Sequence, residues 1–311
     1  MTAAAPRTTI VVVTWRGRAH ITRCLDALAG QDRPHRTVIV DNASDDGTAA
    51  LIAAHPSRPE VLRLPANRGY AGGLAAALPG VRTELVAWLN DDAAPEPGWL
   101  AALEDALDAD PGAGAAGSAL TAPDGGPASV GVRLTPLGYG ADTAEPAEVF
   151  GFCGGAVLLR RAALAAAGGV PAGFFCYYED TDTSWRLRLA GWTVRPVPAA
   201  RADHLLGAST RPGSARFHLW NERNRLLMLL RCAPARVAAR ELARFAALTA
   251  VLPVRRLVGR PVPAAANFRL GLRLRVLGAL AVRLPAAIRD RGRIGRRSVA
   301  ARNEIWRTFA R

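Results

Sequence analysis

The run Val86-Ala87-Trp88-Leu89 passes directly into Asn90-Asp91-Asp92-Ala93, and Pro95, Pro97 and Gly98 then forbid the strand to continue. Two adjacent carboxylates must therefore sit where a strand stops. In an open α/β sheet, ligands bind beyond the carboxyl ends of the strands, so paired acids there are placed to hold a hard cation and, through it, a phosphate. The local alternative is that Asp91 and Asp92 only make a turn and cap a helix over Trp99 to Leu107.

The chain on either side favours the first reading. Thr9 to Thr14 (TIVVVT) is a short β-branched run, apolar throughout, as expected of a parallel strand buried on both faces. Ile21, Leu25 and Leu28 repeat at helical spacing, with Gly30 as a stop. Thr37 to Val40 forms a second strand ending at Asp41. Asn42 to Thr48 forms a turn that caps a helix over Ala49 to Ala54, Val61 to Leu64 a third strand, and Asn67-Arg68-Gly69-Tyr70-Ala71-Gly72-Gly73 leads into a helix through Leu78. Glu84 to Leu89 is the fourth strand. This alternation means βαβ units and a parallel sheet. Thr14, Asp41, Asn67, Asp91 and Asp92 all stand where a strand stops, and the common edge of the sheet gathers them into one crevice. There Asp41 can accept hydrogen bonds from a base or ribose, and Gly72 and Gly73 can let backbone approach a ligand. No GxxxxGK[ST] or GxGxxG follows the first strand, which argues against a hydrolysed triphosphate or a dinucleotide redox cofactor.

The second half carries fewer regular signals. Asp108 to Val149 is rich in Gly, Ala and Pro and reads as an irregular extension of the sheet, with short apolar segments at Ala115 to Leu120 and Val130 to Leu134. The glycines of Gly151-Phe152-Cys153-Gly154-Gly155 permit close packing or approach to a ligand. Gly173 to Asp182 (GFFCYYEDTD) runs into a helix through Trp185, Leu187 and Leu189 that ends at Gly191. Glu179, Asp180 and Asp182 suit a helix start whatever else they do. The aromatic approach would also place a carboxylate in a partly dry site, where its basicity rises. His204 follows a strand at Thr193 to Val197 and gains meaning only if it faces Asp92.

At 311 residues the chain suits one catalytic domain plus an appendage, or two modest domains. Cys24, Cys153, Cys176 and Cys232 are widely spaced and form no CxxC, so they read as buried thiols in a reducing compartment. Met1 to Arg7 lacks a signal-peptide core, and no run of about 18 apolar residues is present. A cytosolic chain is expected, one still free to lie on a membrane. The net charge of +14 is unevenly placed: residues 211 to 311 hold 23 Arg and four acids, whereas the first 210 residues are net negative.

Taken in order and spacing, VVVTW, VDNASDDGT, NRGYAGG, WLNDDA, GFCGGAVLLRR, FFCYYEDTDTSWRLRLAGW, HLLGAS and ERNRLL resemble the family 2 glycosyltransferases over about residues 8 to 230. Within them the match is to the bacterial rhamnosyltransferase-like and galactofuranosyltransferase-like branch. The resemblance implies an α/β GT-A fold, with a mostly parallel central sheet flanked by helices over 1–210 and a basic amphipathic helical region over 211–311. It implies that Thr14 and Asp41 line the nucleotide pocket, with Asn67 and the Gly72-Gly73 turn nearby. The DXD-type motif maps onto Asn90-Asp91-Asp92, so that Asp92 holds Mg²⁺ or Mn²⁺ against the diphosphate and His204 completes the metal site. The catalytic base maps onto the Glu179-Asp180 pair, Asp180 being preferred, with Asp182 and Arg186 orienting the helix start. Two positions depart from the pattern. Asn90 offers an amide where an acid is usual, and Arg16 stands where Asn is common.

The implied reaction is a direct displacement that inverts the anomeric carbon. Its donor would be a dTDP- or UDP-linked sugar, rhamnose before galactofuranose, and its acceptor a lipid-linked or cell-envelope glycan. The basic third reads as helical: apolar residues such as Leu242, Phe245 and Leu248, and Leu270 to Leu284, alternate with Arg, as a helix lying in an anionic headgroup layer needs. An enzyme on the inner face of the cytoplasmic membrane is therefore expected. The same helices could instead pack on the catalytic domain. A catalytically silent GT-A module that binds a glycan or a partner is the competing class. Nucleic acid is not expected as a partner, because the apolar content is high and no binding motif appears.

Overall fold

The computed structural model describes residues 5–121, 126–205 and 213–311. The chain runs β1 (Thr8–Thr14), α1 (Ile21–Ala29), β2 (His35–Asp41), α2 (Thr48–Ala54), β3 (Glu60–Arg63), α3 (Gly69–Ala77), β4 (Leu85–Asn90), β5 (Ala93–Pro95) and α4 (Trp99–Ala109). There follow β6 (Ala113–Thr121), β7 (Pro127–Ser129), β8 (Gly131–Leu134), β9 (Gly140–Thr143), β10 (Ala156–Arg160), α5 (Arg161–Ala166), α6 (Glu179–Leu189) and β11 (Thr193–His204). Four helices close the chain: α7 (Ala215–Cys232), α8 (Ala235–Leu257), α9 (Leu270–Arg297) and α10 (Arg302–Phe309).

The main sheet has the order β3-β2-β1-β4-β10-β6-β11-β5, with β7 on β6. Its first half is parallel, as the alternating pattern requires. β10 then enters antiparallel to both β4 and β6, while β11 runs parallel to β6. The Ala115 to Leu120 segment is thus no irregular extension: it lies in β6, between β10 and β11, and only β8 and β9 form a separate ribbon. Short Ala and Gly side chains hid this strand from a pattern that looks for β-branched residues.

β1 shows why the sheet is buried on both faces. Ile10 and Val12 join Ile21, Leu25, Ile39, Ile52 and Trp99 in one apolar layer, whereas Val11 and Val13 join Val40, Leu74, Trp88 and Phe152 in the other. Each such side chain contributes about 1.5–3 kcal/mol by leaving water. A third cluster joins Phe150, Phe174, Tyr178 and Trp185 to Leu226, Met228 and Leu229 of α7, and to Val276, Leu280 and Ile294 of α9. The inner faces of the C-terminal helices therefore pack on the sheet-bearing part of the chain. Arg223, Arg225, Arg231 and Arg273 are buried there. No described helix is long and apolar enough to cross a membrane.

Candidate active site

Parallel pairing sets Thr14 beside Asp41, Asp41 beside Arg63, and Val13 beside Asn90, so four strand ends share one edge. Beyond Asn90 the chain turns within two residues into β5, which pairs antiparallel with β11 and sets His204 opposite Ala93. That pairing brings the histidine to the acids. His204 Nε2 lies 3.1 Å from Asp92 Oδ1 and 3.0 Å from Asn90 Nδ2. Neither acid caps α4, whose N-cap is Gly98 in a left-handed conformation with no side-chain cap. Asp91 accepts a hydrogen bond from Thr14 Oγ1 at 2.6 Å, and a methyl group at Gly17 would collide with both of them. Burial, aided by the Asp92 charge and opposed by the Thr14 hydroxyl, pushes the Asp91 carboxyl up to about 7. Burial also raises Asp92, but the His204 hydrogen bond and charge outweigh it and leave that group below its ordinary value.

The second acidic pair opens α6. Phe175 centres a γ-turn with φ 70°, Cys176 N donating to Phe174 O; Tyr177 and Tyr178 then also take positive φ, the latter as the N-cap of α6. Asn224 of α7, fully buried, donates its amide to Phe174 O, Cys176 O and Tyr177 O at 2.8–3.0 Å, and Arg223 adds a bond to Phe174 O. Asp182 bridges Arg186 at 2.6 Å and Arg231 of α7 at 2.8 Å, which fixes the helix start to the C-terminal helices. Asp180 is half-buried and accepts from Gly154 N at 3.0 Å and from the Thr181 hydroxyl and N–H. Glu179 is buried, with Oε2 lacking a hydrogen-bond partner among the described residues. Burial and the Asp180 charge push Glu179 up to about 8, and burial raises Asp180 as well.

The two acidic corners meet across a strip of backbone. A Cβ at Gly154 would stand 3.3 Å from Asp180 Cβ, and one at Gly155 would stand 3.5 Å from the His204 ring. Asn90 N donates to Gly155 O at 2.9 Å, and Tyr70 Oη donates to Gly154 O at 2.7 Å. These two glycines thus separate Asp180 from the Asp92–His204 pair by one peptide's width.

Beside this strip lies a cavity of about 390 Å³ whose walls include Trp15, Asn42, Asn67, Gly69, Asp91 and Trp220. Asn67 and Asp91 line it as the sequence suggests. Thr14 and Asp41 do not: Thr14 is spent on Asp91, and Asp41 is fully buried, accepting from Ser44 N at 2.8 Å and pairing with Arg63. Gly72 and Gly73 lie inside α3, where Arg68 and Val13 occupy the space a side chain would take. They serve helix packing; the glycine at the cavity is Gly69, with φ +71° and the Phe175 carbonyl pressed against it. Arg16 turns outward to Asp45 at 2.6 Å. Asn42 had no distinguishing signal, yet its amide binds both Gly69 O and Arg68 N, fastening the Asn67 turn to the end of β2. Leu206 to Ser209 of the HLLGAS motif lie outside the described residues.

The family model for glycosyl transferase family 2 matches residues 9–168, which contain β1 to β10 and the Asn90-Asp91-Asp92 corner. The chain belongs to that family. This family 2 glycosyltransferase is 32% identical over 238 residues to the N-acetylglucosaminyl-diphospho-decaprenol L-rhamnosyltransferase of Mycobacterium tuberculosis, covering 65% of the chain and 76% of that relative. Its fold is similar to that of a mannosyltransferase from Pyrobaculum calidifontis solved with GDP-Man and Mn²⁺ (TM-score 0.56, 21% identity, 90% of this chain and 87% of that one). It is also similar to S. aureus TarS 1-349 solved with UDP-GlcNAc (TM-score 0.58, 18% identity, 93% and 83%). The glycosyltransferase has the GT-A fold, a mixed sheet flanked by helices.

Among its described residues, no group of three or more His, Cys, Asp or Glu side chains gathers as a ready metal cage. The donor set of Asp92 and His204 nevertheless suits a divalent cation. His204 Nε2 cannot donate to Asp92 and accept from Asn90 at once. Asp92 and His204, one carboxylate and one imidazole, would be the side chains to hold such a cation, which would supply charge compensation to a bound diphosphate.

Proposed function

We propose that this glycosyltransferase moves a sugar, rhamnosyl in the first instance, from a nucleoside diphosphate to a hydroxyl of a lipid-linked glycan, with inversion at the anomeric carbon. The observation that carries the reading is the Gly154-Gly155 strip, with a poised carboxylate on one side and an acid–imidazole pair on the other. Asp92 and His204 would hold Mg²⁺ or Mn²⁺, which supplies charge compensation to the departing diphosphate. Asn67, Gly69, Asn42 and Asp91 border the space for the donor, and Trp15 and Trp220 offer flat apolar surfaces to a base.

Asp180 is the base. Its carboxylate is held by the Gly154 and Thr181 donors, so it keeps one orientation while an acceptor hydroxyl gives up its proton as the oxygen attacks the anomeric carbon. Burial has already raised its basicity toward that task. Glu179, protonated near neutral pH, adds no second negative charge beside it.

The Mycobacterium tuberculosis relative's name supports an acceptor carried on a prenyl diphosphate. The outer faces of α8 and α9 support residence on a membrane surface: Val254, Leu257 (86% exposed) and Val258 on one, Val282 (80%) and Ile288 on the other, flanked by Arg255, Arg256 and Arg289.

The test is nucleoside diphosphate release from a panel containing dTDP-rhamnose and UDP-galactofuranose, with a short-chain prenyl-diphosphate N-acetylglucosamine as acceptor and Mn²⁺ or Mg²⁺ present. Turnover of one donor is expected, falling by about 10²–10⁴ in Asp180→Asn. Full activity in that variant would remove Asp180 from the mechanism, and inertness of the folded wild type toward every donor would favour a silent binding module.

A further inference from the structure

A groove behind α7 takes no part in the chemistry above. It has a volume of about 480 Å³, and its walls include Arg216, Leu219, Arg269, Gly271, Leu272 and Arg275. The first turns of α7 divide it from the donor cavity: Trp220 faces the cavity, Leu219 faces the groove, and Arg216 borders both.

Its composition is one-sided. Three arginines, Arg216, Arg269 and Arg275, border it, and no acidic side chain lines the groove among the described residues. Three of the four acids after residue 210 are engaged elsewhere, Glu222 and Glu241 with Arg225, and Asp290 with Arg231 and Arg293. Like charges so gathered favour a multiply charged anion. The rest of the wall is apolar and includes Ala215, Leu219 and Leu272. Just past the groove, Leu274 is 53% exposed, and the bare face of α9 continues through Gly278, Val282 and Ile288 at helical spacing. A ligand that fits has an anionic head and a hydrocarbon tail leaving along α9.

We propose that this groove binds the diphosphate and first hydrocarbon units of a prenyl-diphosphate-linked acceptor, delivering its sugar past Arg216 toward the donor cavity. The assignment rests on the lipid-linked acceptor of the proposed function. An anionic phospholipid headgroup shares the chemistry, and the experiment separates the two sources.

The experiment titrates full-length protein with farnesyl diphosphate, without donor or turnover, so that a failure of the donor panel leaves this result readable. Wild type should bind it at least about tenfold more tightly than farnesol, and Arg269→Ala/Arg275→Ala should weaken it at least about tenfold while binding to phosphatidylglycerol vesicles persists. Both arginines are exposed, so folding should survive, as thermal unfolding will report. Gly271→Trp provides an independent arm: no atom lies within 4 Å of the added Cβ, so a bulky side chain is accommodated at the groove wall without altering its charge, and it too should weaken binding. Unchanged affinity in both variants, equal affinity for farnesol, or a parallel loss of vesicle binding would each overturn the assignment.

Discussion

Replacing Asn224 by Leu tests how the carboxylate proposed as the base is held. The side chain is fully buried and its amide reaches three carbonyls of the Phe174 to Tyr177 turn. Leu has the same heavy-atom branching and is somewhat larger, so the change removes hydrogen bonds without opening a cavity. Phe174 O keeps Arg223, but Cys176 O and Tyr177 O each lose the amide as a donor and Arg223 Nε loses Asn224 Oδ1 as its acceptor. At about 1–2 kcal/mol per group, the expected loss is about 3–6 kcal/mol. That loss is comparable to the strain the turn carries, because three non-glycine residues with φ near 70° store about 1 kcal/mol or more apiece. Without its clamp the turn should relax, and Glu179 and Asp180, which follow it directly, should move. A shift of about 1 Å in a reacting group costs on the order of 10²-fold in rate. Urea unfolding gives the first quantity and kcat under saturating donor gives the second. A variant that loses less than about 0.5 kcal/mol and keeps full kcat would refute the clamp.

Three further outcomes are expected. Glu179 has a folded value of about 8 against an ordinary value of 4.5, so between these pH values the unfolded chain releases a proton that the native state retains; stability should fall as pH rises through that window, by up to about 1.4 kcal/mol per unit, and Glu179→Gln should flatten the slope in urea titrations. Chelation with EDTA should abolish turnover, and Asp92→Asn should raise the Mn²⁺ concentration for half-maximal rate by about tenfold or more, whereas an unchanged requirement would exclude Asp92 as a ligand. Val254→Asp/Ile288→Asp, both at exposed positions, should lower co-sedimentation with phosphatidylglycerol vesicles by about tenfold or more without changing the unfolding midpoint.

What the sequence discloses here depends on whether the signal is local. The four parallel strands were legible because β-branched runs end abruptly in polar residues, and Asp92 and His204 could be paired only through a resemblance, since they stand 112 positions apart with the β5–β11 pairing between them. Asn224 looked like any polar residue in a basic helix, because nothing nearby in sequence announces three carbonyls 47 to 50 positions away. Gly72 and Gly73 read as open approaches because a glycine does not disclose what faces it; here Val13 and Arg68 do. The arginines after residue 210 read as one basic surface, yet Arg223, Arg225, Arg231 and Arg273 turn inward, and Arg225 finds its acids from two different helices.

The strip at Gly154 and Gly155 has a consequence for how such an active site can vary. Its thickness is a matter of bond lengths, not of side-chain packing, so it works as a gauge that ordinary repacking of the core cannot reset. On the proposed reading, a different sugar or a bulkier acceptor is accommodated along the cavity walls, where Trp15, Asn67 and Trp220 can change without altering the strip between Asp180 and the Asp92–His204 pair. Substitution at either glycine, by contrast, should disturb both corners together, and its effects should not add to those of changes at Asp180 or His204.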